Sequence, residues 1–364
     1  MPLQIFAVCA PGLEPVLLAE VQALGCKGTA GVGGVEIAGT LLDVQRLNLW
    51  LRTASRVLVR LGTVQATAFP ELVRKASALQ WERYLRSSVS LRVTCRKSRL
   101  YHSGAVAERL HAAIEARLGG KVPMQKAAED EESEGAQLIV ARFERDVCTV
   151  SADSSGALLH RRGYRGPQAK APLRETLAAA LLLAAGWNGD VPLCDPLCGS
   201  GTIAVEAALI AARRAPGIAR AFAFQKWPEF DLRPFQDLLA AARAGERALS
   251  QKIEASDQDA GAIAATRENA ARAGVALEIT QRQLVKVPVK EGDGLIACNP
   301  PYGVRVGGDV RQIFSELGDA ARRRPGYKVA AVVADERAAA AAGLRWTRLL
   351  RTQTGGIPVQ FLAG

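Results

Sequence analysis

Between residues 190 and 303 the chain repeats one device three times. A short apolar run stops on a side chain that can hydrogen-bond, and a turn follows: "VPLCDPLCGSGT", "KIEASDQD" and "GLIACNPPYG". The first two turns run at once into segments with apolar residues at helical spacing, "TIAVEAALIAARR" and "AGAIAATRENAARAG". Strands linked through helices start from the same end of a sheet and pair in parallel. The alternation opens near residue 173 with the helical "LRETLAAALLLAAG" and continues through "EITQRQL", "YKVAAVVAD", "TRLLRTQTG" and "IPVQFLA". It predicts a parallel, doubly wound sheet. Such sheets bind ligands beyond the carboxyl ends of their strands, which is where the three polar residues fall.

Each strand end suggests a chemistry. In "CDPLCGSGT", residues 194–202, Gly199 and Gly201 permit a tight turn and leave room for a ligand. The helix that follows presents free N–H groups to that place. No Lys follows the glycines, so this is not a P-loop, nor is it G-x-G-x-x-G. Asp195 would repel a diphosphate and accept from a cationic or hydroxyl-bearing ligand. The plain alternative is a tight strand–helix turn. In "SDQD", Asp257 stands where doubly wound sheets receive ribose hydroxyls, whereas Asp259 suits the N-cap of a helix starting near Ala260. In "NPPYG", Pro301 denies the Pro300 carbonyl a helical partner. That carbonyl and the Asn299 amide oxygen could hold both hydrogens of one exocyclic amine while Tyr302 stacks on the ring that carries it. The plain alternative is a stiff strand cap.

Before residue 173 the pattern differs. Residues 1–55 read as strand, helix, strand, helix, with Gly25 as a helix terminator. Residues 56–155 hold the alternating "RVLVRLGTVQA" and "SVSLRVTCRKS", the helical "FPELVRKASALQWERYL" and "SGAVAERLHAAIEARLG" with Ser103 as its N-cap, an acidic "EDEESEG" expected as a solvated loop, and two strands broken near Arg145–Asp146. Residues 156–171, rich in Gly, Pro and Arg, read as a linker. Charge is uneven: of 47 Lys and Arg and 36 Asp and Glu, residues 1–170 hold 23 and 16. This suits contact with a polyanion. Seven scattered cysteines with no C-x-x-C pair argue against structural zinc or a disulfide framework and fit a reducing cytoplasm. No metal, membrane span or signal peptide is expected.

"DPLCGSGT", "DQD" and "NPPYG", in this order, resemble the class I S-adenosylmethionine-dependent methyltransferases that modify exocyclic amines. "SLRVTCRKSRLYHSGAVAERL", and "LHRRGYR" followed by "APLRETLAAALL", resemble the THUMP-domain RNA methyltransferases, especially the guanine-N2 enzymes of ribosomal and transfer RNA. The resemblance covers nearly the whole chain. It implies a Rossmann-like methyltransferase domain with a seven-stranded, mostly parallel sheet over 172–364, preceded by a ferredoxin-like α+β segment (1–55) and a THUMP domain (56–155). S-adenosylmethionine would be held by Asp195, Pro196, Cys198, Gly199, Ser200, Gly201 and Thr202, with Asp195 near its ammonium. Asp257 would take the ribose, Gln258 would flank the adenine, and Pro172 and Leu173 would belong to the segment closing over the cofactor. Asn299, Pro300 and Tyr302 would hold the guanine. RNA would meet Arg96, Lys97 and Arg99 at a strand end and Arg161, Arg162 and Arg165 in the linker. One departure stands out: Gln283 occupies a place where the family usually has Asp, keeping an acceptor but losing the charge. The expected protein is a cytoplasmic monomer acting on RNA. Adenine-N6 methylation of DNA or RNA is an alternative, as is a non-catalytic RNA-binding or assembly protein with a weakened cofactor site. A cysteine-adduct mechanism is disfavoured, since Cys298 falls inside a strand.

Overall fold

A computed structural model of the chain describes residues 2–125, 135–166, 173–302 and 310–364. Pro172 and the acidic run up to residue 134 lie outside the described residues. The N-terminal region contains β1 (Leu3–Val8), α1 (Glu14–Ala23), β2 (Gly28–Gly31), β3 (Gly34–Gly39), α2 (Leu41–Trp50), β4 (Arg56–Gln65), α3 (Phe69–Ala76), β5 (Ser88–Arg96), α4 (Ser103–Leu118), β6 (Met124–Gln125), β7 (Ala136–Glu144) and β8 (Val147–Asp153). All eight strands form one sheet, in the order β2-β3-β1-β4-β8-β7-β5-β6. The boundary expected between residues 55 and 56 therefore falls within a single sheet. β4 pairs with β1 on one side and with β8 on the other, antiparallel to both. Alternation in "RVLVRLGTVQA" reveals which face each residue takes, but not which strand lies alongside. One correction is local: α4 is capped by His102, whose Nδ1 accepts the Ala105 N–H at 3.1 Å, while Ser103 lies inside the helix.

The C-terminal region runs through α5 (Glu175–Ala184), β9 (Leu193–Asp195), α6 (Thr202–Ala211), α7 (Leu232–Ala244), β10 (Ile253–Asp257), α8 (Ala260–Ala273), β11 (Glu278–Gln281), β12 (Gly294–Cys298), α9 (Val310–Arg322), β13 (Tyr327–Val333), α10 (Glu336–Ala339), β14 (Thr347–Thr354) and β15 (Ile357–Ala363). Its seven strands order as β11-β10-β9-β12-β13-β15-β14. β9 to β13 are parallel; β15 runs antiparallel between β13 and β14. Gly355 and Gly356, both at positive φ (54° and 80°), make the two-residue turn between β14 and β15. The doubly wound expectation holds. The chain leaves β9 toward β10 and β11, then returns to place β12 on the other flank, so the sheet reverses direction around β9.

The two regions share one core. A single buried apolar cluster extends from Ile5 and Leu47 through Val150 and Leu177 to Phe361. A glycine fixes one close approach: a Cβ on Gly12, at φ +89°, would stand 1.7 Å from the Arg351 carbonyl oxygen in β14. The linker is built into this core as well. Arg162, expected to face RNA, is 5% exposed; its Nη1 donates to the Leu159 carbonyl, Nη2 to that of Arg52, and Nε lies 3.5 Å from Glu206 of α6. Tyr164 donates to Glu206 at 3.1 Å, and Arg52 donates to the Leu209 and Arg214 carbonyls. Arg165 also turns inward, donating to Thr202 Oγ1 and the Leu173 carbonyl and lying 3.4 Å from Glu175. Of the three linker arginines expected at RNA, only Arg161 is exposed. The guanidinium groups answer buried carboxylates and helix-end carbonyls, a need invisible in a local run of Arg and Gly.

Removing one member of a buried ion pair strands the others. Glu206→Ala should cost about 3–5 kcal/mol of stability, read as a lowered midpoint in urea unfolding. A change below about 1 kcal/mol would show that Arg162 and Arg52 are satisfied by their carbonyls alone.

Candidate active site

The carboxyl ends of β9, β10 and β12 meet along one edge. Ala255 of β10 lies opposite Asp195, and Ile296 of β12 lies opposite Cys194. β9 is only three residues long, and all are buried. It ends on Asp195, 1% exposed, whose Oδ1 accepts the Leu197 N–H at 3.3 Å. Burial pushes the Asp195 pKa well above the usual carboxylate range; the Leu197 N–H opposes this and the charge on Asp257 adds to it. A carboxylate so poorly compensated is suited to receive a cationic or N–H-rich group.

The loop after β9 is pinned from several sides. Cys198 N–H donates to the Ser256 carbonyl at 3.0 Å, and Gly199 N–H donates to Asp257 Oδ2 at 2.9 Å. From α8, Thr266 Oγ1 donates to the Gly199 carbonyl and Asn269 Nδ2 to the Ser200 carbonyl, at 2.8 and 2.9 Å. Gly201, at φ +79°, caps α6, and a Cβ there would stand 2.6 Å from Thr266 Cγ2. Gly199 has open space beside it, also at positive φ. Ser200 Oγ is buried and has no hydrogen-bond partner among the described residues. Pro196, Cys198 and Thr202 are buried parts of the same turn, and Thr202 carries the contact from Arg165.

Asp257 spans two jobs, taking Gly199 N–H on Oδ2 and Asp259 N–H on Oδ1 at 3.0 Å. Asp259 caps α8 as expected, accepting the Gly261 N–H. Gln258 and Gln283 line one cleft of about 580 Å³ with Gln281, Arg282 and Lys286. Nothing in the sequence marks these last three. Their signal is only that β11 ends beside β10, where Asp257 lies opposite Gln281. A second cleft of about 590 Å³ lies elsewhere, between β5, β7 and residues 221–226, and includes none of the expected site residues. The strand-end chemistry, not cleft size, singles out the candidate site.

At the end of β12, Asn299 is half-buried, and its Oδ1 is buried with no partner among the described residues. Pro300 is buried, and Tyr302 is half-buried, packing on the main apolar cluster. Cys298 is fully buried, and burial above all drives its thiol far above the ordinary range, so it is no nucleophile. Leu173, expected in the segment that closes over the cofactor, is 4% exposed and packs in the core. Arg96, Lys97 and Arg99 are exposed between β5 and α4, on the N-terminal sheet.

Sequence comparison matches residues 162–359 to the RMKL-like methyltransferase domain and residues 4–58 to the RlmL ferredoxin-like domain. The Synechocystis sp. protein slr0064, an RNA methyltransferase by name, is 34% identical over 367 residues, covering 98% of this chain and 95% of that protein. The Ribosomal RNA large subunit methyltransferase K/L of Syntrophotalea carbinolica is 35% identical over 382 residues, covering 99% of this chain and 53% of that protein. The chain thus spans about half the length of that relative. Among solved structures, SMU.472, described as a methyltransferase and complexed with SAH (S-adenosylhomocysteine), superposes with a TM-score of 0.88 at 27% identity, over 99% of this chain and 97% of that one.

Asp195 yields a signed prediction. Its folded pKa is raised, so the folded state holds the proton more tightly than the unfolded one. Its destabilising contribution is absent in acid, grows as pH rises through the ordinary carboxylate range, and persists at neutral pH. Asp195→Asn keeps the acceptor for Leu197 N–H. It should therefore raise the melting temperature of the ligand-free protein at pH 7, with the gain vanishing near pH 3.8, the ordinary value. A lower melting temperature at pH 7 would contradict this account.

Proposed function

The chain belongs to the RMKL-like methyltransferase family, and from that premise we propose that it methylates the exocyclic N2 of a guanosine in large-subunit ribosomal RNA or transfer RNA. The fold is that of class I methyltransferases, and the cofactor is S-adenosylmethionine. The observation that carries the reading is the buried Oδ1 of Asn299, unpartnered among the described residues, at the end of β12, on the sheet edge that also presents Asp195 and Asp257.

The residues present fit the cofactor. Asp195 offers a buried carboxylate to an ammonium, Ser200 Oγ a polar atom without a partner among the described residues, and Gly199 open space along the backbone. Asp257 holds the loop by one lone pair of each oxygen and keeps the others for hydroxyls. Gln258 and Gln283 line the cleft that suits the adenine. When bound, S-adenosylmethionine supplies an electrophilic methyl group. The protein's own contribution is placement. The Asn299 amide oxygen and the Pro300 carbonyl accept the two N–H bonds of the guanine amine, which turns its lone pair outward. Tyr302 stacks on the base, which must first leave its own stack. No strong general base is needed, because the nitrogen acidifies only as it is alkylated. Alignment and hydrogen bonding supply the catalysis.

RNA as the substrate is supported by the names of the relatives and by the exposed basic residues of the N-terminal half, where residues 56–155 would serve as a THUMP domain. Mass spectrometry of nucleosides from a deletion strain should show loss of N2-methylguanosine from one RNA site. Full retention of that mark, or loss of N6-methyladenine instead, would overturn the assignment. Asn299→Ala should leave cofactor binding intact by calorimetry and slow methyl transfer about 10²-fold. Unchanged turnover would remove Asn299 from the mechanism.

A further inference from the structure

Two loops on the N-terminal sheet join into one rigid corner. Among the described non-glycine residues, positive φ occurs at Lys97 (48°), Arg145 (50°), Asp146 (64°) and Arg213 (51°), and the first three share this corner. Such backbone is held only where its surroundings fix it, and it gathers at functional places. Here the β7–β8 turn and the β5–α4 loop are cross-linked. Arg145 N–H donates to the Arg96 carbonyl at 3.3 Å, Ser98 Oγ to the same carbonyl at 2.9 Å, and Asp146 N–H to Ser98 Oγ at 3.1 Å. Arg99 N–H donates to Asp146 Oδ1 at 2.7 Å, and Ala66 N–H to the Asp146 carbonyl at 3.0 Å.

The corner carries Arg96, Lys97, Arg99 and Arg145, all exposed. None forms an ion pair among the described residues. The neighbouring carboxylates are committed, Asp146 to Arg99 N–H and Glu144 to Arg142. Beside these cations stands Tyr101, 79% exposed. It is fixed from both sides: Leu100 is 7% exposed and belongs to the core, and His102 caps α4. An aromatic ring held in water between two anchored residues, among unpaired cations, matches the pattern of single-stranded nucleic acid sites, where bases stack on rings and phosphates meet Lys and Arg.

We propose that Tyr101 stacks one unpaired base of a single-stranded RNA segment while Arg96, Lys97, Arg99 and Arg145 hold the adjoining phosphates. This deepens the RNA reading above and rests on it. A base within a duplex offers no free face, so the site discriminates strandedness rather than sequence. The test measures fluorescence anisotropy with a labelled single-stranded oligoadenylate and with a duplex RNA of the same length, across a salt series. Tyr101→Ala should weaken the single strand about 10-fold and the duplex less than about 2-fold, while Tyr101→Trp restores wild-type affinity. Replacing the four cations by Gln should flatten the salt dependence for both probes. Equal binding of the single strand by Tyr101→Ala and wild type would overturn the stacking role and leave the RNA reading intact. Equal weakening of both probes would overturn it too. Failure of the wild type to bind either probe would overturn both.

Discussion

A carboxylate with no access to water organises this molecule. Glu206 is buried in α6, and the linker reaches it through Arg162 and Tyr164 while Arg52 approaches from the N-terminal region. An isolated buried charge is untenable, so the three elements must arrive together. The same strap continues to Arg165, which grips Thr202 at the start of α6. The helix whose N-terminus borders the glycine loop after β9 is thus anchored by the segment that joins the two regions. One cluster therefore ties the N-terminal region to α6 and, through Arg165, to the start of that helix.

The second organising element is the parallel sheet. It delivers Asp195, Asp257 and Asn299 to one edge although long stretches of chain separate them. Asp195 shows the tension this creates: burial disfavours its charge, and the fold tolerates it because the surrounding strands and α6 are thoroughly packed. Sites of this kind are where local stability and function pull apart.

The strand ends are legible in the sequence because their signals are local. An apolar run, an acid or amide and a glycine or proline lie within a dozen residues, and each has one geometric meaning. The Asp259 cap and the break at Arg145–Asp146 are legible for the same reason. What escapes depends on distant partners. The pairing of β4 with both β1 and β8 is set by strands far away in sequence. Arg162 and Arg165 look like free cations because their carboxylates, Glu206 and Glu175, sit in helices that read as plain apolar segments. Helix α7 has a local start signal in Asp231, which accepts the Arg233 N–H, but its anchor is Phe235, which fits among Phe222, Phe224 and Phe230, partners that its own sequence does not name. His102 takes the cap from Ser103 because a ring nitrogen serves as well as a hydroxyl.

The approach of Gly12 to the Arg351 carbonyl bears on how the chain assembles. These residues lie near opposite ends of the described sequence. During synthesis, domains fold in the order they emerge. The turn at Gly12 forms early, but the backbone it rests against exists only once the β14–β15 hairpin has been made. The N-terminal sheet must therefore wait with that turn uncovered. Closing the clasp is a late event, one that joins the oldest and youngest stretches of the described chain.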